Sequence, residues 1–202
     1  MKIHFILLAL IVLVTVGPAT RLAAQEAGMI SDQPYIVTTE FGLGYSRYLT
    51  DLEFDDLDKN GFGGMARVMW NPEHLLSIGL ETGYQYLYSI DAKNVSTEFG
   101  TSDFSASMTS VPIHIAIAMR INDCLKLRGG TGIYLLSNHG DAFGDALESS
   151  LISIGMQVGL SYARPVSKDI SLGAELKYSY ITKLQDQHIA IQFLFIYDLI
   201  EY

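Results

Sequence analysis

From residue 76 to residue 90 the chain reads LSIGLETGYQYLYSI, and its positions alternate between two characters without a break. Leu76, Ile78, Leu80, Thr82, Tyr84, Tyr86, Tyr88 and Ile90 fall on one face; Ser77, Gly79, Glu81, Gly83, Gln85, Leu87 and Ser89 fall on the other. A repeat of two is that of a β-strand, whose successive side chains point to opposite sides. The run is long for a soluble strand. Its apolar face ends in tyrosines, and its other face is small or polar with a single carboxylate, the pattern of a strand that crosses a membrane as part of a barrel.

Seven further runs alternate in the same way, over about 35–48, 62–70, 104–121, 125–136, 151–163, 170–182 and 188–197. In the 104–121 run Pro112 has no N–H to give to a ladder, which predicts a bulge or a loosened pair there. Between the runs, long polar connections (TDLEFDDLDKNG, DAKNVSTEFGTS, SNHGDAFGDALES and a moderate one at 184–187) alternate with short turns near 71–74, 122–123 and 165–169. Outer-membrane barrels have this asymmetry, with short turns in the periplasm and long loops outside. The pattern predicts an all-β protein, an eight-stranded antiparallel up-and-down transmembrane barrel over residues 35–202, with both termini in the periplasm.

The first 24 residues differ in kind. Lys2 precedes an apolar run from Ile3 to Val16, Pro18 breaks it, and Leu22-Ala23-Ala24 offers a cleavage site before Gln25. This reads as a secretory signal peptide, and residues 25–34 as a polar periplasmic segment. Removing residues 1–24 takes away Lys2 and Arg21 and no acid, which turns a formal charge of −9 into −11. Such acidity disfavours nucleic acid as a partner. Cys124 is alone, so no internal disulfide is available.

Alternation does not say which face points inward, and a secreted ligand-binding barrel of the lipocalin type uses the same number of strands turned inside out. Three features favour the membrane. The polar faces are mostly Gly, Ser and Ala, suited to a crowded lumen. The aromatics sort by height: Trp70, Tyr162 and Tyr197 near the periplasmic ends, and Tyr45, Phe62, Tyr86, Tyr88, Phe104 and Tyr180 near the outer ends, as two interfacial girdles would be. Tyr202 supplies an aromatic terminus like the assembly signal of outer-membrane barrels. With the signal peptide, the eight runs and VPIHIAIAMRI at 111–121, the chain resembles the small outer-membrane β-barrel family of Gram-negative bacteria, the outer-membrane protein X and A kind with a porin-like barrel domain. The resemblance implies an outer-membrane location, contact with outer-membrane lipids, lipopolysaccharide and the assembly machinery, and no catalytic residues or cofactor.

Inward parity collects Glu40, Arg67, Glu81, His114, Arg120, Lys126, Arg128, Glu175 and Lys177 inside the barrel. Counted from the turns, Glu40, Arg67, Glu81, Arg128 and Glu175 share a depth. Opposite charges in so narrow a lumen must pair, which predicts an interior charge network that fixes register; a narrow water path is the functional alternative. Asp56, Asp58 and Asn60 are spaced like the start of a calcium loop, but Arg67 stands where the bidentate Glu belongs, which leaves at most a weak surface calcium site. Ser137, His139 and Asp141 bring nucleophile, base and acid types into one connection, the composition of a lipid A-modifying barrel enzyme, although Leu135 occupies the place of the deacylase His. The reading is therefore a non-enzymatic barrel for envelope integrity or surface interaction through acidic extracellular loops and a loop partner. The alternatives are a narrow porin, a lipid A-modifying enzyme and a secreted binder.

Overall fold

The computed structural model describes residues 35–49, 57–72, 76–97, 100–142 and 145–201. The expected signal peptide, the 25–34 segment, Asp56 and Tyr202 lie outside these residues. The strands are β1 (Ile36–Leu49), the two-residue β2 (Leu57–Asp58), β3 (Asn60–Asn71), β4 (Leu76–Thr97), β5 (Gly100–Arg120), β6 (Leu125–Ala142), β7 (Asp145–Pro165), β8 (Ile170–Ile181) and β9 (Asp186–Glu201). All but β2 form the wall of one antiparallel barrel, each long strand pairing with its neighbour in sequence, β1 with β9, and β4 with β5 to complete the ring. Closure leaves no open edge within the wall, the condition for crossing lipid with strands.

The alternating positions decide inside from outside. Leu43, Phe62, Leu80, Ile154, Ile191 and Phe193 all point outward and stay exposed, up to 74% for Phe62. Glu40, Arg67, Glu81, Glu175 and Lys177 point inward and are at most 2% exposed. An apolar belt of that extent is stable only against lipid. The lipocalin-type alternative needs the opposite arrangement and is thereby corrected. Tyr45 and Phe62 meet edge to face at 5.9 Å on the belt's upper rim, and Tyr35 stacks on Trp70 at 6.5 Å on its lower rim.

Two local features distort the β4–β5 ladder. Pairing runs from Leu76–Met119 to Thr82–Ile113 and resumes at Gln85–Ser110, so it lapses where Gly83 and Tyr84 pass Val111 and Pro112. That is where a residue without an N–H should loosen it. A register shift then follows between Tyr86 and Tyr88. The extra residue, Leu87, is fully buried, and past it the parity reverses. Tyr88, expected in the outer girdle, instead packs inward, its ring 5.5 Å from that of Tyr48.

The larger departure lies beyond the belt. DAKNVSTEFGTS and SNHGDAFGDALES read as loops, yet β4 and β5 stay paired out to Thr97–Gly100, and β6 and β7 out to Ala142–Asp145. β5 and β6 are also paired from Arg120–Lys126 to Phe104–Ala142. β8 joins β7 only from Gly155 onward. Four strands therefore rise past the barrel rim as a single β-arm, in which β7 residues 145–153 pair on one side only among the described residues.

Candidate functional site

The lumen is built in layers. Across β1, β3 and β4, Glu40 faces Arg67 and Arg67 faces Glu81, so three charges of alternating sign stand side by side in the lumen. Arg67 is the hub. Its Nε donates to Glu81 at 2.6 Å, its Nη1 to Glu40 at 2.8 Å, and both Nη atoms fork onto Glu175 at 3.0 and 3.1 Å. Arg128 donates from Nη2 to Glu40 at 3.0 Å and from Nε to Ser161 at 2.7 Å. Lys177 closes the set on Glu81 at 2.6 Å. Three carboxylates thus meet three cations, and the cavity left among them is about 10 Å3, about the volume one water needs. Buried charge is tolerable only with such complete pairing.

Above this layer His114 is buried with its ring 4.7 Å from Tyr134, in edge-to-face contact. Gly132 faces His114 across the β5–β6 ladder, and Gly155 receives the Tyr134 ring, since a Cβ there would overlap it. Tyr48, Leu87, Met108, Tyr134, Leu136 and Ile181 then form an apolar cap over the outer end of the lumen, supported by Tyr88, Leu151 and Leu184. Tyr48 anchors it by donating its hydroxyl to Asp186. Below the ion cluster the lumen widens into a vestibule of about 220 Å3.

Of the nine interior candidates, Glu40, Arg67, Glu81, Arg128, Glu175 and Lys177 come together as the cluster. His114 lies in the layer above. Lys126 is half-buried in the vestibule, and Arg120 is exposed at its mouth, where β5 ends. Arg120 is therefore corrected from the interior network to the rim. Alternation places Tyr134 inward but gives no hint that it caps the barrel; the run of inward glycines beside it, Gly130 and Gly132, was the available signal.

The loop candidates stay apart. Asp58 Oδ1 accepts from the Asn60 backbone N–H at 3.0 Å and from Nδ2 at 2.9 Å, which makes a local turn. Among the described residues no group of three or more His, Cys, Asp or Glu is placed to hold a metal. Ser137, His139 and Asp141 belong to β6, not to a loop. Among the described residues no hydrogen bond joins their side chains, which stand in file at every second position of the strand. His139 Nε2 instead lies 3.4 Å from Glu148 on β7, both exposed.

With fold and lumen in view, comparison with known proteins is decisive at one level. Residues 6–195 match the outer membrane protein beta-barrel domain. The chain belongs to that family. An outer-membrane, transmembrane barrel follows for the whole described wall. Among solved structures, the family member here is similar to Ail, the attachment invasion locus protein of Yersinia pestis, in complex with the heparin analogue sucrose octasulfate: 14% identity, TM-score 0.58, over 82% of this chain and 99% of that one. A major outer membrane protein from Thermus thermophilus is comparably similar, at 14% identity and TM-score 0.59 over 82% of this chain and 99% of that one. At such identity these likenesses speak for the fold. No curated protein matches.

Proposed function

We propose that this barrel is a non-enzymatic outer-membrane anchor that displays a β-arm for interaction at the cell surface. The arm carries the reading. Four strands leave the membrane together, and a wall whose lumen is blocked by ion pairs and an apolar cap has little to offer as a passage. Its Ser, His and Asp stand in file on one strand instead of converging on a reacting atom, which speaks against acyl transfer.

The arm's chemistry points to the kind of partner. Asp91 faces Ser105 and Ser105 faces Asp141, while Ser107 faces His139 and His139 faces Glu148, so one face of the arm carries three exposed acids among hydroxyls. They line a shallow cavity of about 360 Å3. A basic or polyhydroxylated surface complements that face, and a sulfated polyanion like the one bound to Ail does not. Outer-membrane lipids and lipopolysaccharide would cover the belt below, and the assembly machinery would insert the barrel.

The test is to replace residues 92–104 and 139–149 by tight turns and compare cells bearing the trimmed and intact proteins. The trimmed barrel should still migrate faster unboiled than boiled, and attachment of the cells to cationic surfaces should fall. Unchanged attachment would reject the arm as the working part, and lipid A processing by purified protein would reject the non-enzymatic reading.

A further inference from the structure

The vestibule under the ion cluster is a blind pocket with one basic wall. Arg120 at the mouth and Lys126 inside are direct cross-strand partners of β5 and β6, and Arg128 follows two residues beyond Lys126 on the same side of β6. Like charges held directly opposite on a sheet repel and destabilise the pairing. Arg128 is satisfied by Glu40, Glu175 and Ser161. Arg120 and Lys126 enter none of the ion pairs within 4 Å among the described residues. A cavity of about 220 Å3 lies in front of them and opens away from the arm.

The remaining lining selects among anions. Ile36, Ile196 and Ala163 give an apolar patch, and Thr38 and Ser171 add hydroxyls. Asp198, the pairing partner of Thr38, and Asp123 in the β5–β6 turn also border the cavity. Their charges disfavour a polyanion, while one carboxylate between the two cations relieves the repulsion across the strands. We propose that this vestibule binds a small organic carboxylate from the periplasm, its charged end between Arg120 and Lys126 and its apolar part against Ile36, Ile196 and Ala163.

Cys124, the chain's single cysteine, lines the same cavity and serves as a native reporter. The full-length protein in mild detergent is alkylated with a maleimide in the presence of N-acetylalanine, N-acetylalaninamide or inorganic phosphate. At a concentration ten times its dissociation constant, N-acetylalanine should slow labelling about tenfold by mass action. The uncharged amide should not protect, and phosphate should protect far less. Arg120→Gln and Lys126→Gln should each weaken protection, while Arg47→Gln at the opposite end should leave it intact. Arg120 is exposed, so its variant tests the site without risk to the fold, and the boiling-dependent gel shift verifies that Lys126→Gln is folded. Protection by the amide, equal protection by phosphate, protection that survives Arg120→Gln and folded Lys126→Gln, or no protection of the native protein would each overturn the proposal.

Discussion

Arg67 spends all of its donor directions on carboxylates: Glu81 from Nε, Glu40 from Nη1, and Glu175 from both Nη atoms. No other side chain has the planar fork for this, so even the conservative change is not conservative here. Arg67→Met leaves three buried carboxylates facing two cations, and removal of one partner from a buried set costs about 3–5 kcal/mol. Urea unfolding in detergent, followed by the boiling-dependent gel shift, should show that loss. Arg67→Lys should lie between Met and wild type. Combined with Glu40→Leu, Arg67→Met should cost less than the two singles added, since members of one network couple; strict additivity would mean the cluster does not act as a unit. Gly155 is the corresponding test of the cap. A Cβ there would enter the Tyr134 ring and also press on the Tyr180 carbonyl. Gly155→Ala should therefore displace the ring and destabilise by about 1–3 kcal/mol, the usual range for overpacking, visible as a shift in tyrosine near-ultraviolet dichroism.

At the scale of elements, strand pairing predicts a sharp gradient along β7. Residues 155–162 are paired on both sides, to β6 and to β8, whereas 145–153 are paired only with β6 among the described residues. In hydrogen exchange the amides of the lower half should stay protected far longer than those on the open edge, with the step at Ile154, whose carbonyl accepts from Thr182 at 2.9 Å. Uniform protection to Asp145 would mean the edge is covered. The same pairing explains what the sequence could and could not convey. Alternation is written into a strand only where its two faces meet different surroundings. Within the belt one face meets lipid and the other the lumen, so the eight runs, the charges that form the cluster and the loosening at Pro112 were legible, whereas Arg120, at the end of β5, was not placed. Above the belt both faces of the arm meet water, polar residues such as Ser105, Ser107 and Asp141 suit either, and the strands pass for loops. Tyr88 was misplaced for a related reason. One extra residue, Leu87, shifts the parity of everything after it, and nothing in a run of alternating residues marks where that happens.

For the molecule as a whole, the arrangement of blocks in series makes a statement about transport. An ion path would have to pass the vestibule, the cluster around Arg67 and the cap around Tyr134, and the last two close the lumen by different physics. The cluster closes it by filling the cross-section with paired charges that leave about 10 Å3 between them. The cap closes it with apolar side chains that water does not enter. Either is sufficient, so opening one should not produce conduction. In planar bilayers the native protein should give no stable current steps. Tyr134→Ala together with Leu87→Ser, which opens the cap, should give none either, because the ion cluster still fills the lumen below it. Steps should appear only when the cap variant is combined with replacement of Glu40, Arg67 and Glu175 by alanine, a barrel that must first be shown folded by its gel shift. Stable steps from the native protein would restore the narrow-channel reading. Steps from the cap variant alone would show that the cluster is a filter that ions traverse, and would move the search for function from the arm into the lumen.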